Sequence, residues 1–229
     1  FRAEVTPAGL AGEPPPPQEL LVACRSADAP LAVVDLDKTL VADGFHTVLV
    51  GEPQPMPGSV EVMRRLAQDH SIVYLTHRPD LFTNKSKSWL TDHDYPRGPV
   101  LLSSVSGFLK GSGAYKTEML RGLRQRFRAL RVGIGDKSSD AVAYHETGLK
   151  SILILPMPPG QNPQDYLDLA AELGRLPTGV HVVTNWQEVR RALFAGASYP
   201  PGRLVERLEN TARELKAKQE AQRAGGGAP

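Results

Sequence analysis

Leu31-Ala32-Val33-Val34-Asp35-Leu36-Asp37-Lys38-Thr39-Leu40 decides the fold of this chain. Four consecutive apolar residues that stop at a carboxylate read as a short strand buried on both faces, the pattern of a parallel sheet. Working outward, apolar runs of the same kind recur at 71–75, 99–102, 131–134 and 151–155, and a late one at 180–183. Between them lie helical patterns at 60–68, 79–91, 117–130 and 139–147, and further ones follow at 185–194 and 203–223. In the third of the between-strand gaps Leu120, Leu123, Phe127 and Leu130 return at helical spacing. Regular strand–helix alternation predicts an α/β protein, a parallel sheet with helices on both faces.

The composition fits that reading. The chain has 229 residues, 41% apolar and 23% charged, with 27 basic against 25 acidic side chains. A net charge of +2 is too mild to point to nucleic acid. No apolar run approaches the length of a transmembrane helix. A single cysteine, Cys24, excludes an internal disulfide framework and a cysteine-based zinc site. Leu21-Val22-Ala23-Cys24 has the outline of a lipoprotein cleavage box, but a proline-rich segment bearing Glu13 and Glu19 precedes it, not a long apolar core. Cys24 is therefore expected as a small buried residue. The expected layout is a Pro-rich arm at 1–18, a domain over 19–200, a helix at 201–223 packed on that domain, and a loose Gly/Ala-rich tail at 224–229.

In parallel sheets, ligands collect at the carboxyl ends of the strands. After the first strand stand Asp35 and Asp37, two carboxylates at i and i+2. Their mutual repulsion is relieved by a hard divalent cation with oxygen ligands, Mg²⁺ being the usual choice beside phosphate. After the second strand come Thr76, His77 and Arg78. Lys116 opens the third helix. After the fourth strand comes Gly135-Asp136-Lys137-Ser138-Ser139-Asp140. Singly, each has a bland explanation: a DxD pair is commonly a loop or cap, Asp140 an N-cap, Lys116 a surface lysine. Their order along an alternating chain is what carries meaning.

That set, DxDxT, then Thr, then Lys, then GDxxxD, resembles the signature of the haloacid-dehalogenase superfamily of phosphotransferases. The resemblance implies a Rossmann-like fold in which Asp35 attacks phosphorus to form an aspartyl phosphate. Asp37 would protonate the leaving oxygen and then activate water. Thr76 and Lys116 would hold the transferred phosphoryl group. Asp136 would complete a Mg²⁺ site with Asp35 and the backbone carbonyl of Asp37, and Asp140 would support it. Such chemistry needs this equipment independently: a carboxylate nucleophile, a second carboxylate as acid then base, and cations and hydroxyls for the charge on the equatorial oxygens. Thr39, His77 and Arg78 are candidate substrate contacts. For Arg78 two readings stand side by side, a grip on phosphate or headgroup and a pairing with a carboxylate.

The gaps from Asp35 to Thr76 and from Thr76 to Lys116 are filled by single elements and a hairpin-like flap near 45–50. No large cap domain is expected, which leaves a site open to bulky substrates. Tyr74-Leu75-Thr76-His77-Arg78-Pro79-Asp80, Trp89-Leu90, His93, Tyr95-Pro96-Arg97-Gly98-Pro99 and the stretch from Asp140 through Tyr144 to Gly148 resemble the C-terminal domain shared by lipins and the larger phosphatidylinositol transfer proteins. For lipins the resemblance implies a Mg²⁺-dependent phosphatidate phosphatase. For the transfer proteins it implies a module that binds phosphatidate without hydrolysing it. Retention of Asp35, Asp37 and Thr39 favours catalysis; Lys38, where Gly is usual, and His77 depart from the lipin pattern. The expected partner is a phosphorylated substrate, with an anionic phospholipid at a membrane surface favoured over a protein, a nucleic-acid end or a soluble phosphomonoester. The expected location is soluble, cytoplasmic or exported with its signal removed, or peripheral to a membrane. The basic run from Lys116 to Arg131 reads as a solvated face or a lipid footprint. Leu204, Leu208 and Leu215 read as a packing stripe. Phe45 and residues 53–57 are placed to lean over the site or touch lipid.

Overall fold

A computed structural model describes residues 21–42, 53–104, 107 and 111–225. The strands are β1 (Leu31–Val34), β2 (Ser71–Pro79), β3 (Val100–Ser103), β4 (Leu130–Gly135), β5 (Lys150–Ile154) and β6 (His181–Val183). The helices are α1 (Ser59–Leu66), α2 (Thr83–Asp92), α3 (Ser112–Arg126), α4 (Ser138–Glu146), α5 (Pro163–Leu173), α6 (Trp186–Phe194) and α7 (Pro201–Gly225). A single 3₁₀ turn, Asp80–Phe82, joins β2 to α2.

The six strands form one sheet in the order β3-β2-β1-β4-β5-β6. Every neighbouring pair is parallel. Period-two alternation sorts β1 between the faces. Ala32 and Val34 join a core with Met63 of α1, Trp89 of α2 and Trp186 of α6. Leu31 and Val33 join another with Tyr115 and Leu120 of α3 and Tyr144 of α4. Helices therefore cover both faces, as the alternation requires.

Two glycines set how closely α4 sits. A Cβ on Gly133 would lie 2.2 Å from Tyr144 Cγ, and one on Gly135 would lie 2.9 Å from Asp140 Oδ2. Only a bare backbone at these points of β4 lets α4 descend onto the strand.

Several expectations need correction. The helix carrying Lys116 begins at Ser112, so Lys116 lies in its second turn. It stops at Arg126 because Phe127 is extended, with φ −126° and ψ 118°. Strand β2 runs on to Pro79, and α2 starts later than expected, after the 3₁₀ turn. Helix α5 went unanticipated among the prolines of 156–163. It has an ordinary start, with Asn162 Oδ1 accepting from the Gln164 amide and Pro163 in the first turn. Cys24 is exposed, not buried. The last helix reaches Gly225, into the stretch read as tail, while 226–229, the arm at 1–18 and the flap at 45–50 with Phe45 lie outside the described residues. Leu204, Leu208 and Ala212 of α7 are buried against Tyr166, Ala170 and Leu173 of α5, so the stripe is a packing face. Among the described residues no helix is long and apolar enough to cross a membrane.

Candidate active site

The loop after β1 is fastened from several sides. The amides of Thr39, Leu40 and Val41 all donate to the Leu36 carbonyl, at 3.3, 2.9 and 2.9 Å. Trp186 Nε1 donates to the Thr39 carbonyl at 2.9 Å. The Tyr95 hydroxyl donates to the Leu40 carbonyl at 3.2 Å. Residues 53–57 are pinned beside it: the Met56 amide donates to Leu40 O at 2.7 Å, and Trp89 Nε1 to Pro53 O at 2.7 Å. Within this turn Lys38 takes φ 53°, in the left-handed region that favours glycine.

Three carboxylates meet at the carboxyl ends of the central strands. Asp35, at the end of β1, and Asp136, at the end of β4, are joined by Asp140 from the first turn of α4, with one oxygen of each within 4.8 Å of the others. Asp140 is wholly buried, and its side chain makes no N-cap bond; residue Lys137 occupies the cap position. Lys116 reaches in from α3, with Nζ 2.6 Å from Asp140 Oδ2 and 3.1 Å from Asp35 Oδ2. Only 1% of it is exposed, so it is not a surface lysine. Proximity of three anions to one cation, away from water, has the expected electrostatic result. Burial first, and then the charges of Asp35 and Asp140, push the Asp136 carboxyl up to about 7. Burial raises Asp140 as well, against the pull of Lys116. Burial opposes the Lys116 charge, but Asp35 and Asp140 outweigh it and hold the ammonium protonated well beyond its ordinary range.

Asp136 Oδ1 and Asp140 Oδ1 are buried and have no hydrogen-bond partner. Buried oxygens left in that state are costly, and the acidic excess over Lys116 compounds the cost. An all-oxygen, anionic donor set of this kind fits a hard divalent cation.

Of the other anticipated residues, Thr76, His77 and Arg78 lie within β2 and not after it; Thr76 is buried, its Oγ1 accepting from the Arg78 amide at 3.3 Å. Thr39 Oγ1 is buried without a partner. His77 is half-buried, its ring 5.8 Å from that of Tyr115. Burial, with the nearby Lys137 and Lys116 charges, lowers its pKa. Arg78 takes the second of its two readings. Its guanidinium is buried and grips Asp37 at both oxygens, Nε to Oδ2 at 2.9 Å and Nη2 to Oδ1 at 2.7 Å. Nη1 donates to Ser86 of α2 at 3.1 Å. Neither Ser86, 8 positions from Arg78, nor Trp186, 147 positions from Thr39, was singled out in the sequence, because no local pattern ties either to its partner. The basic residues Arg121, Arg124, Arg126, Arg128 and Arg131 are exposed, with Arg128 paired to Asp28 at 2.7 Å.

The parallel strand order and the helices on both faces define an α/β fold of the haloacid-dehalogenase type. D,D-heptose 1.7-bisphosphate phosphatase from B. bronchiseptica, complexed with magnesium and phosphate, shares it with a TM-score of 0.51 and 19% identity, over 73% of this chain and 99% of that one. Within that class the match is specific. The family described as "PITM 1-3, LNS2 domain" covers residues 32–155, and this chain belongs to it. Membrane-associated phosphatidylinositol transfer protein 3 of Homo sapiens is 31% identical over 106 residues, 45% of this chain and 10% of that protein. Membrane-associated phosphatidylinositol transfer protein 1 of Homo sapiens is 26% identical over 219 residues, 92% of this chain. Protein retinal degeneration B of Drosophila melanogaster is 28% identical over 134 residues. The chain thus spans between 10% and 17% of the length of these relatives.

Proposed function

We propose that this chain is a Mg²⁺-dependent phosphomonoester hydrolase working through an aspartyl phosphate, with phosphatidate or a related phospholipid as its substrate. The observation that carries the reading is the buried set of Asp35, Asp136 and Asp140 around the Lys116 ammonium. Asp35 Oδ would attack phosphorus as the ester P–O bond breaks, and the departing alkoxide would take a proton from Asp37. Water would then attack the aspartyl phosphate, its proton passing to Asp37, and phosphate would leave with Asp35 restored. Asp35, Asp136 and the Asp37 carbonyl would hold Mg²⁺, supported by Asp140. When bound it supplies charge neutralisation that lets an anionic nucleophile meet an anionic substrate. Lys116 and Thr76 would orient the phosphoryl oxygens, and Thr39 Oγ1 is a hydroxyl still in want of an acceptor. The phospholipid assignment is supported by the names of the membrane-associated relatives and by the open site expected of a chain without a large cap.

A second reading, a module that binds phosphatidate without turning it over, is favoured by Arg78. It grips both oxygens of Asp37, leaving a substrate oxygen only the lone pairs that the guanidinium does not take. Hydrolysis of a soluble aryl phosphate separates the two. Under the first reading, turnover requires Mg²⁺ and Asp35→Asn abolishes it with the fold intact; absence of Mg²⁺-dependent turnover with any phosphomonoester favours the binding module. Faster turnover of phosphatidate in vesicles than of soluble esters supports the lipid substrate over a protein, nucleic-acid end or metabolite.

A further inference from the structure

We propose that β3, the outermost strand of the sheet, receives an extended acidic peptide as a further strand, whose side chains enter alternately the two cavities flanking that edge. The inference is independent of the phosphatase reading, because neither Asp35, Asp136 and Asp140 nor Lys116 borders either cavity.

The two edges of the sheet are finished differently. At β6 the Val182 amide donates to the Tyr199 carbonyl at 2.8 Å, so the chain covers that edge itself. Strand β3 ends the sheet on the other side. Its inner side is fixed by the Tyr74 amide of β2, which donates to the Pro99 carbonyl at 2.9 Å. Successive residues of a strand turn their backbone groups to opposite sides. Those of Val100 and Leu102 therefore face outward, and among the described residues no backbone group bonds to them there. An edge is ordinarily blunted by charge or by cover, whereas Val100, Leu101 and Leu102 are apolar and only partly buried.

A cavity opens on each face beside this strand. One, of about 680 Å³, takes in Tyr74 and Val100 with Leu90 of α2. The other, of about 710 Å³, takes in Val73 and Leu101 with Leu123 of α3 and Phe127 just beyond it. Val73 and Tyr74 are sequence neighbours, as are Val100 and Leu101, so the cavities lie on opposite faces of the sheet. Leu21, 43% exposed, borders both and marks their common mouth. A strand laid along β3 would project successive side chains into one cavity and then the other.

The charges at the rim set the character of the peptide. Arg25, Lys87, Arg97 and Arg126 border the cavities against Asp69 and Asp92, and Asp69 is already paired with Arg65 at 3.4 Å. A peptide with an apolar centre and acidic flanks matches both the cavities and the rim. A second copy of this chain would bring the same cationic rim against this one, and a small ligand would leave the alternating backbone donors and acceptors of the edge unused.

A fluorescein-labelled peptide with four central valines between runs of glutamate, added to the whole chain and read by polarisation, tests this. Saturable binding that weakens with salt is expected. N-methylation of the valine amides keeps the peptide apolar and acidic and should abolish binding. Leu102→Pro removes an outward amide from β3 and should weaken binding about tenfold. Arg126→Glu should weaken it about fivefold and strengthen binding of the same peptide with lysine flanks. Equal binding of the methylated peptide, wild-type affinity in both variants, or no binding by the wild-type chain would each overturn the proposal. So would a dimer in sedimentation that Leu102→Pro dissolves, since a second copy would then occupy the edge.

Discussion

At Asp136, burial and two neighbouring carboxylates oppose ionisation, and the folded-state value of about 7 lies well above the ordinary 3.8. Folding therefore favours the protonated acid. The associated stability is present in full below about pH 4 and is lost as pH rises through about 7. Metal-free protein should show a melting temperature that falls over that window. Mg²⁺ should raise the melting temperature most on the alkaline side, and Asp136→Asn should flatten the metal-free slope. Calorimetry with and without chelator across pH checks this; a flat metal-free profile in wild type contradicts it. Arg78 makes a second residue-scale prediction. Lysine brings a single ammonium in place of a two-pronged fork, so Arg78→Lys should release one Asp37 oxygen and alter kcat on an alkyl phosphate more than KM. A change confined to KM would place Arg78 on the substrate instead. The carboxylates and Lys116 were legible as motifs, but their burial was not. Asp140 reads as a cap and Lys116 as a surface residue until α3 and α4 bring them 2.6 Å apart.

Among elements, the contact of β4 with α4 governs the site most directly, because Asp140 is delivered by the helix that Gly133 and Gly135 admit. Gly133→Ala would put a methyl group 2.2 Å from Tyr144 Cγ, and this ring is wholly buried with no room to retreat. A loss of about 1–3 kcal/mol by denaturant unfolding is expected, along with weaker Mg²⁺ binding as α4 is pushed out. Stability unchanged by the methyl would mean that α4 yields freely. The strands were legible because a strand buried on both faces has to be apolar throughout. Helix ends were less so: Lys116 sits inside α3, and Ser112 to Tyr115, with little apolar periodicity, fold as helix ahead of it. Helix α5 was missed although Tyr166, Ala170 and Leu173 recur at helical spacing. The prolines around it resemble a loop, and its partner stripe lies far along the chain on α7.

For the whole molecule, α7 closes the far side of the sheet by covering α5 and Leu153. Leu208 is fully buried there, so Leu208→Ala should lower stability by about 2–5 kcal/mol while leaving the strand-end site, built from other elements, able to bind Mg²⁺. A wild-type melting temperature in that variant would show α7 to be dispensable. The amino-acid sequence by itself determined the class of architecture and which side chains stand at the strand ends, since both follow from local apolar patterning and from the direction of parallel strands. Tertiary structure alone decided that Arg78 grips Asp37, that Ser86 and Trp186 brace the site, and that Lys116 and Asp140 are dry. Those facts arise from segments distant in sequence meeting across the sheet, and no local pattern encodes the distance between two side chains.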